Sequence, residues 1–215
     1  MAIVCPTVTA TTKEDYDLQL RKIVPLANRI HIDLMDGMFA PNLTLTLQDI
    51  WWPAGIQADL HIMYKTPEIL LDTIIKMRPS LAIFHAEAEG DFVGLSSRLR
   101  KAGIKVGLAL LERTQITQIV TVLPDLDHVL VFSGHLGHFG GQADLEMLQK
   151  VRTLKTNYPK IEVGWDGGIN NLNVKVLTLG GVDVLNTGGF IQKSDNPLHA
   201  YATLKAIASN PNSDD

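Results

Sequence analysis

Short apolar segments alternate with longer amphipathic segments along the whole chain. The apolar segments are rich in Val, Ile and Leu, which is typical of strands covered by helices on both faces. Eight of them are predicted to be strands, at residues 3–8, 29–35, 58–64, 81–87, 105–111, 128–133, 161–165 and 182–187. Helical spacing of the apolar positions predicts helices at residues 13–28, 67–77, 92–102, 115–123, 145–158, 172–179 and 197–208.

This alternation predicts a parallel α/β fold, and eight strands favour a single-domain (β/α)8 TIM barrel. Helix signals agree with it, since Pro67 follows Thr66 at a helix start and Gly103 stands at a helix end. The section between residues 42 and 55 is the least regular, and we expect a loop with at most a short helix. The barrel domain is expected at residues 1–208, followed by a polar C-terminal tail at residues 209–215.

The composition limits the classes of partner and the cellular compartment that we expect for this protein. The 215 residues are 46% hydrophobic and 20% charged, with a net charge of −4, so no basic surface for nucleic acid or an anionic membrane is expected. Cys5 is the single cysteine, which excludes an intramolecular disulfide and fits the cytoplasm. No apolar run approaches the roughly 20 residues of a membrane span, and none has the form of a signal peptide.

Polar residues at the carboxyl ends of the predicted strands are the candidates for chemistry, because a barrel works at that face. His31 and Asp33 share one face of the second strand, because strand side chains alternate with period two. The best four candidates for a divalent metal, with mixed nitrogen and oxygen ligands, are His31, Asp33, His61 and Asp166. His85 and Glu87 repeat the spacing of His31 and Asp33, and spacing alone does not rank the two pairs. A single such histidine is more often a core or rim residue.

Glycines form a second group after the last three strands. They occur in pairs at residues 140–141, 167–168 and 188–189, each ahead of a predicted helix. Glycine lets backbone N–H groups approach an anion, and barrels commonly bind phosphate after strands seven and eight. A metal site facing a phosphate site suits proton abstraction beside the carbonyl of a sugar phosphate.

These residues resemble the ribulose-phosphate 3-epimerase family over nearly the whole chain. The most specific match is a His-x-Asp-x-Met-Asp-Gly segment with a Pro-Asn pair downstream. The matching segments are Pro6-Thr7, His31-Ile32-Asp33-Leu34-Met35-Asp36-Gly37, Phe39-Ala40-Pro41-Asn42, Asp59-Leu60-His61-Ile62-Met63, His85-Ala86-Glu87, Val106-Gly107-Leu108-Ala109-Leu110, Phe139-Gly140-Gly141-Gln142, Asp166-Gly167-Gly168-Ile169 and Gly188-Gly189.

The resemblance implies a barrel isomerase that interconverts D-ribulose 5-phosphate and D-xylulose 5-phosphate. It implies that Asp33 and Asp166 are the two acid/base groups, and that with His31 and His61 they hold one divalent ion, Zn²⁺ before Fe²⁺, Mn²⁺ or Co²⁺. It also implies a homo-oligomer. The implied substrate-binding residues are Thr7, Met35, Met63, His85, Gly140, Gly141, Gly167, Gly168, Gly188 and Gly189.

Departures from the family pattern lie on the substrate side of the site. They are Thr7 for a serine, Thr46 for a glycine, Phe132 for a methionine, Gly189 for a serine and a loop at residues 133–138 that looks one residue longer. They leave two alternatives open, a 3-epimerase of a ketohexose 6-phosphate and a non-catalytic sugar-phosphate-binding paralogue. A related decarboxylase or aldolase is less favoured, because Asp33-Leu34-Met35-Asp36 lacks the lysine of its Asp-x-Lys-x-x-Asp motif.

Overall fold

Eight parallel strands close into a barrel in the order in which they occur along the chain. A computed structural model describes residues 1–137 and 141–212. The strands are β1 (Ile3–Val8), β2 (Arg29–Met35), β3 (Gln57–Met63), β4 (Leu81–His85), β5 (Lys105–Leu110), β6 (His128–Phe132), β7 (Glu162–Asp166) and β8 (Val184–Thr187). The predicted (β/α)8 barrel is therefore confirmed.

Helices cover the outside of the barrel. They are α1 (Lys13–Ile23), α2 (Leu71–Met77), α3 (Phe92–Lys101), α4 (Leu148–Asn157), α5 (Val174–Leu179), α6 (Gly189–Gln192) and α7 (Pro197–Ser209). Side-chain oxygens of Thr12, Asp91 and Asn196 accept backbone N–H bonds at the starts of α1, α3 and α7, which fixes where these helices begin. Within the described residues, no helix has the length and apolar character needed to cross a membrane.

The structure differs from the predicted elements in several places. The helix expected at 115–123 is replaced by short 3-10 turns at Ile116–Gln118 and Leu123–Asp125, because this stretch is rich in β-branched residues and is followed by Pro124. The helix α6 was not predicted, since four residues are too few to show a helical period. The fourth strand ends at His85, so Glu87 lies in the following turn. Residues 42–55 form a loop without a helix, as expected.

The strand β2 shows how the barrel separates its two faces. Ile30, Ile32 and Leu34 belong to the main apolar core, together with helix residues such as Leu20. The alternate residues, which include Arg29, point into the barrel and meet side chains of other strands there. The polar residues of the barrel interior lie in two layers along these strands.

The layer near the amino ends of the strands is an ionic network, here called the lower cluster. Nε of Arg29 donates to Oδ2 of Asp59 at 2.6 Å, and the guanidinium binds both carboxylate oxygens of Glu162 at 2.8 and 2.7 Å. His128 Nδ1 lies 2.8 Å from Glu162 Oε2. Burial alone would raise the pKa of Glu162, but hydrogen bonds from Arg29 and His128 hold it well below its ordinary value. The lower cluster consists of Arg29, Asp59, His128 and Glu162.

Candidate metal centre and active site

Four side chains converge at the carboxyl ends of β2, β3 and β7, and they form what is here called the upper cluster. The register that places Asp33 beside His61 on β2 and β3 brings two of them together. The two imidazoles are fully buried, and the two carboxylates keep 11% and 13% of their side-chain surface. One ligand atom from each residue lies within 4.8 Å of all the others. The upper cluster consists of His31, Asp33, His61 and Asp166.

The distances inside the upper cluster fit a metal ion. Asp33 Oδ1 lies 3.0 Å from His61 Nδ1 and 3.3 Å from His31 Nε2. Asp166 Oδ2 lies 3.5 Å from His61 Nδ1 and 3.7 Å from His31 Nε2. Four ligands bound tetrahedrally at zinc-ligand distances are separated by about 3.4 Å, which falls inside this range. The arrangement therefore requires little rearrangement to hold a divalent ion.

The electrostatics of the upper cluster also favour a cation. Neither ring nitrogen of His31 has a hydrogen-bond partner within the described residues, although the ring is fully buried. Burial would raise the pKa of Asp33, but the nearby ring of His31 and the hydrogen bond with His61 outweigh it and hold this pKa well below its ordinary value. Burial would lower the pKa of His61, but hydrogen bonds to Asp166 and Asp33 raise it to about 9. Two buried carboxylates thus draw positive charge into the cluster, and an ion would supply it.

The competing pair, His85 and Glu87, lies behind His61 rather than forming a second metal group. His85 Nε2 is 2.9 Å from His61 Nε2, and His85 Nδ1 is 3.4 Å from Glu87 Oε2. Burial, with the neighbouring charge of His61, lowers the pKa of His85 to about 4. Glu87 also accepts hydrogen bonds from the backbone N–H of Leu111 and from the hydroxyl of Thr114. Among the described residues, the upper cluster is the one group with metal-ligand geometry.

A cavity of about 250 Å³ opens above the upper cluster. Of the candidate substrate-binding residues, His85 does not line the cavity because it lies behind His61, and Gly140 lies outside the described residues. The candidate metal ligands His31 and His61 do not line the cavity either. The candidates that line it include both acid/base candidates, Asp33 and Asp166. The other candidates in the lining are Thr7, Met35, Met63, Gly141, Gly167, Gly168, Gly188 and Gly189.

Gly167 and Gly168 allow two loops to meet at the glycine-rich end of the cavity. Their φ angles are +109° and +68°, a region that favours glycine. A Cβ at Gly167 would collide with the backbone of Gly134, and one at Gly168 would collide with the backbone of Ala143. The loop after β7 therefore packs backbone to backbone against the loop after β6.

Sequence comparisons decide the family. The sequence model of the Ribulose-phosphate 3 epimerase family matches residues 3–191. This chain belongs to the ribulose-phosphate 3-epimerase family. It is 34% identical over 194 residues to the ribulose-phosphate 3-epimerase of Mycobacterium leprae, covering 86% of each chain. It is 31% identical over 183 residues to that of Schizosaccharomyces pombe, covering 82% of this chain and 80% of the relative. The members of this family are carbohydrate epimerases, a class of isomerase.

Solved structures show the same fold at low sequence identity. The 3-hexulose-6-phosphate synthase from Salmonella typhimurium superposes with a TM-score of 0.74 at 13% identity, covering 97% of this chain and 99% of that chain. The 3-keto-L-gulonate-6-phosphate decarboxylase from Vibrio cholerae superposes with a TM-score of 0.73 at 9% identity, covering 97% and 98%. These likenesses establish the barrel and carry no statement about activity.

Phe132, a departure from the family pattern, stands at the metal end of the cavity. Its ring centroid lies 5.8 Å from that of His61 and 5.9 Å from that of His85. Phe39 contacts the other side of His85 at 4.6 Å between centroids. The two aromatic rings therefore pack against the buried pair of His61 and His85.

Several residues of the cavity are absent from the candidates that the sequence predicted, and two of them are Thr9 and Lys193. Thr9 lines it, and its hydroxyl donates to Asp33 Oδ2 at 2.5 Å. The period of two from Thr7 along the end of β1 is a signal that would have indicated it. Lys193 lines the cavity beside Gly188 and Gly189, and it follows α6, the helix that showed no signal in the sequence.

Proposed function

We propose that this protein is a metal-dependent ketose-phosphate 3-epimerase that interconverts D-ribulose 5-phosphate and D-xylulose 5-phosphate. The observation that supports it is the position of Asp33 and Asp166, two carboxylates that meet across the same pair of imidazoles at one cavity of a family member. The reaction inverts one carbon beside a carbonyl, so it needs one group to remove a proton and another to return it to the opposite face.

In the proposed mechanism one carboxylate starts ionised and the other starts protonated. Asp33 takes the proton from C3 of one epimer, and Asp166 delivers its proton to the other face of the planar enediolate. The reverse reaction exchanges their roles. One divalent ion, held by the four residues of the upper cluster, would supply positive charge beside the enediolate oxygens.

The remaining residues of the site orient the reacting groups and the substrate. His85 accepts the Nε2 proton of His61, which leaves His61 Nδ1 free toward the carboxylates, and Glu87 fixes His85 in turn. Met35 and Met63 form an apolar wall that excludes water from the reacting carbon. We propose that the phosphate binds at the other end, along the glycines after β7 and β8, where Lys193 adds positive charge.

We further propose that the metal is zinc, that the protein is cytoplasmic and that it forms a homo-oligomer. Two imidazoles and two carboxylates suit Zn²⁺, and also Fe²⁺, Mn²⁺ or Co²⁺. The single cysteine fits a reducing compartment. A half-exposed Trp51 and an exposed Met38 offer apolar surface of the kind found in subunit contacts.

The test combines a metal assay with isotope exchange. The purified protein is expected to contain about one divalent ion per chain and to exchange the C3 hydrogen of D-ribulose 5-phosphate in D2O, measured by NMR. Removing the ion with a chelator is expected to abolish exchange while circular dichroism stays unchanged, and adding Zn²⁺ back is expected to restore it. A protein that binds no ion, or that exchanges equally without it, would refute the proposal.

One observation favours a ketohexose 6-phosphate as the alternative substrate. Gly189 lines the cavity at a position where the family usually has a serine, and we infer that the missing side chain leaves space for a longer sugar. Comparing kcat/KM for D-ribulose 5-phosphate and for a ketohexose 6-phosphate decides between the two.

A further inference from the structure

Asn186 is a buried polar residue of the cavity to which the proposed mechanism gives no role. It lies on β8, in register with Cys5 on β1 and with Asp166 on β7. Only 2% of its surface is exposed, yet it lines the cavity. Neither its amide nitrogen nor its amide oxygen has a hydrogen-bond partner within the described residues.

An amide in this position is unfavourable unless something binds it. Buried polar groups are almost always hydrogen-bonded, because water lost on burial must be replaced. The hydroxyl of Thr7, on the neighbouring strand β1, is also buried and without a partner in the described part of the chain. The wall between β8 and β1 thus offers the cavity a donor, an acceptor and a hydroxyl.

These groups match the chemistry of a sugar hydroxyl. A hydroxyl both donates and accepts hydrogen bonds, so it can satisfy both the nitrogen and the oxygen of the amide. A phosphate would use only the N–H donors of the amide, and a cation would use only its oxygen. Asn186 is next to Asp166 in the strand register, so a hydroxyl bound there belongs to a carbon close to the reacting one.

We propose that Asn186, with Thr7, binds a hydroxyl of the polyol chain and so determines specificity for sugar phosphates that carry this hydroxyl. This inference rests on the proposed function for the position of the substrate. It adds a recognition residue that none of the metal, acid/base or phosphate-binding assignments includes. An analogue without this hydroxyl would leave the amide buried and unpaired, and it would therefore be rejected.

The test uses Asn186→Leu, which keeps the branched shape of the side chain and removes its polar atoms. Thr187→Val is the matched control on the same strand, because the Thr187 hydroxyl already donates to the Leu185 carbonyl at 3.2 Å and does not line the cavity. Isothermal titration calorimetry measures the binding of D-ribitol 5-phosphate, which has the hydroxyls but no carbonyl, and of inorganic phosphate. Thermal unfolding measures Tm with and without ligand.

In Asn186→Leu, D-ribitol 5-phosphate is expected to bind at least about tenfold more weakly, while inorganic phosphate binds as in the wild type. The Tm of the ligand-free variant is expected to stay the same or to rise, because unpaired buried polar atoms are removed. The Thr187→Val variant is expected to bind both ligands normally. KM for D-ribulose 5-phosphate is expected to rise in Asn186→Leu with a smaller change in kcat.

Unchanged binding of D-ribitol 5-phosphate by Asn186→Leu would overturn the inference, and so would a wild type that binds inorganic phosphate but not the polyol. A lower Tm with normal binding would show that Asn186 is structural. Because D-ribitol 5-phosphate cannot be epimerised, weaker binding by Asn186→Leu supports the inference even in a protein without C3 exchange. Failure of the proposed function is therefore seen separately, in the exchange assay.

Discussion

The barrel encloses two polar clusters, and of the two only the lower one contains a permanent cation. Three strands supply residues to both clusters, with the inward positions near their amino ends in the lower cluster and those near their carboxyl ends in the upper cluster. The shared strands and their residues are β2 with Arg29, His31 and Asp33, β3 with Asp59 and His61, and β7 with Glu162 and Asp166. The two clusters therefore share three strands and differ in charge and pairing.

The lower cluster contains a permanent cation. Arg29 binds Asp59 and Glu162 together, so both carboxylates are paired within the protein. In the upper cluster the carboxylates face imidazoles, which carry charge only when protonated, and both nitrogens of His31 are unpaired among the described residues. A polar cluster that holds its own permanent cation can stabilise the barrel, whereas one whose carboxylates face only imidazoles is prepared for an ion or a substrate.

The largest expected effect is the loss of catalysis when an upper carboxylate is neutralised. Asp33→Asn and Asp166→Asn are each expected to lower kcat by about 10³- to 10⁴-fold, because an amide cannot remove or return the C3 proton. Steady-state epimerisation, together with C3 exchange in D2O, measures this. Exchange that persists in both variants would remove the two carboxylates from the mechanism.

Asp59→Asn is the matched control from the lower cluster. It makes the same chemical change two residues before His61 on β3, at a side chain that is also buried. Since Asp59 pairs with Arg29 and not with the cavity, we expect the folded variant to keep wild-type kcat and metal content while its stability falls. A comparable loss of kcat in Asp59→Asn would mean that the two clusters are not functionally separate.

The second largest expected effect is a loss of stability when the lower cluster is disrupted. Arg29→Met is expected to reduce the free energy of unfolding by about 3 kcal/mol, because it leaves Asp59 buried and Glu162 without its cation. Urea unfolding measures this, and metal titration of the folded variant is expected to give the wild-type affinity. A loss of metal affinity as large as the loss of stability would contradict the separation of the two clusters.

The barrel was predictable from short-range patterns, and the upper cluster was predictable from these patterns together with the resemblance to the family. The periods of the apolar residues predicted the eight strands, and alternation along β2 placed His31 and Asp33 on one face. The ranking of His31 over His85 was not predictable from spacing, because both histidines precede a carboxylate by two positions. It depends on the contact between His61 and His85 and on Asp166, which belongs to a strand distant in sequence.

The lower cluster and Thr9 were missed for a different reason. Arg29 and Glu162 stand at strand starts, where charged residues are usually solvent-exposed, and only the closure of the barrel brings them together. Thr9 follows the last residue of β1, and its bond to Asp33 requires the pairing of two strands. Contacts between distant segments carry no local pattern, so they become visible only in the folded chain.

A smaller effect is the pH dependence that the lower cluster gives to stability. The pKa of Glu162 is lower in the folded protein than its ordinary value of about 4.3, so its contribution is complete at neutral pH and is lost as the pH falls below about 5. Glu162→Gln is expected to be less stable than the wild type at pH 7, with the difference shrinking toward pH 3. The ionisable groups that face this carboxylate are Arg29, His128 and the nearby Asp59. Urea unfolding of both proteins across pH 3–8 measures the difference in stability. A difference that is constant across this range would assign the effect to packing.

The smallest effect is expected from Thr9, which touches the upper cluster without being part of it. Its backbone is fixed on both sides by the amide of Gln19, at 3.0 and 2.9 Å, so its hydroxyl meets Asp33 Oδ2 from a rigid position. We infer that Thr9 keeps the other oxygen, Oδ1, turned toward the imidazoles.

Thr9→Val is expected to lower kcat by about fivefold to tenfold with little change in KM, and Thr9→Ser is expected to restore it. The visible spectrum of the Co²⁺ protein should change in Thr9→Val and not in Thr9→Ser, because a freed carboxylate alters the ligand geometry. An unchanged spectrum with unchanged kcat would show that the imidazoles alone hold Asp33 in place, and that the upper cluster, like the lower one, fixes its own geometry.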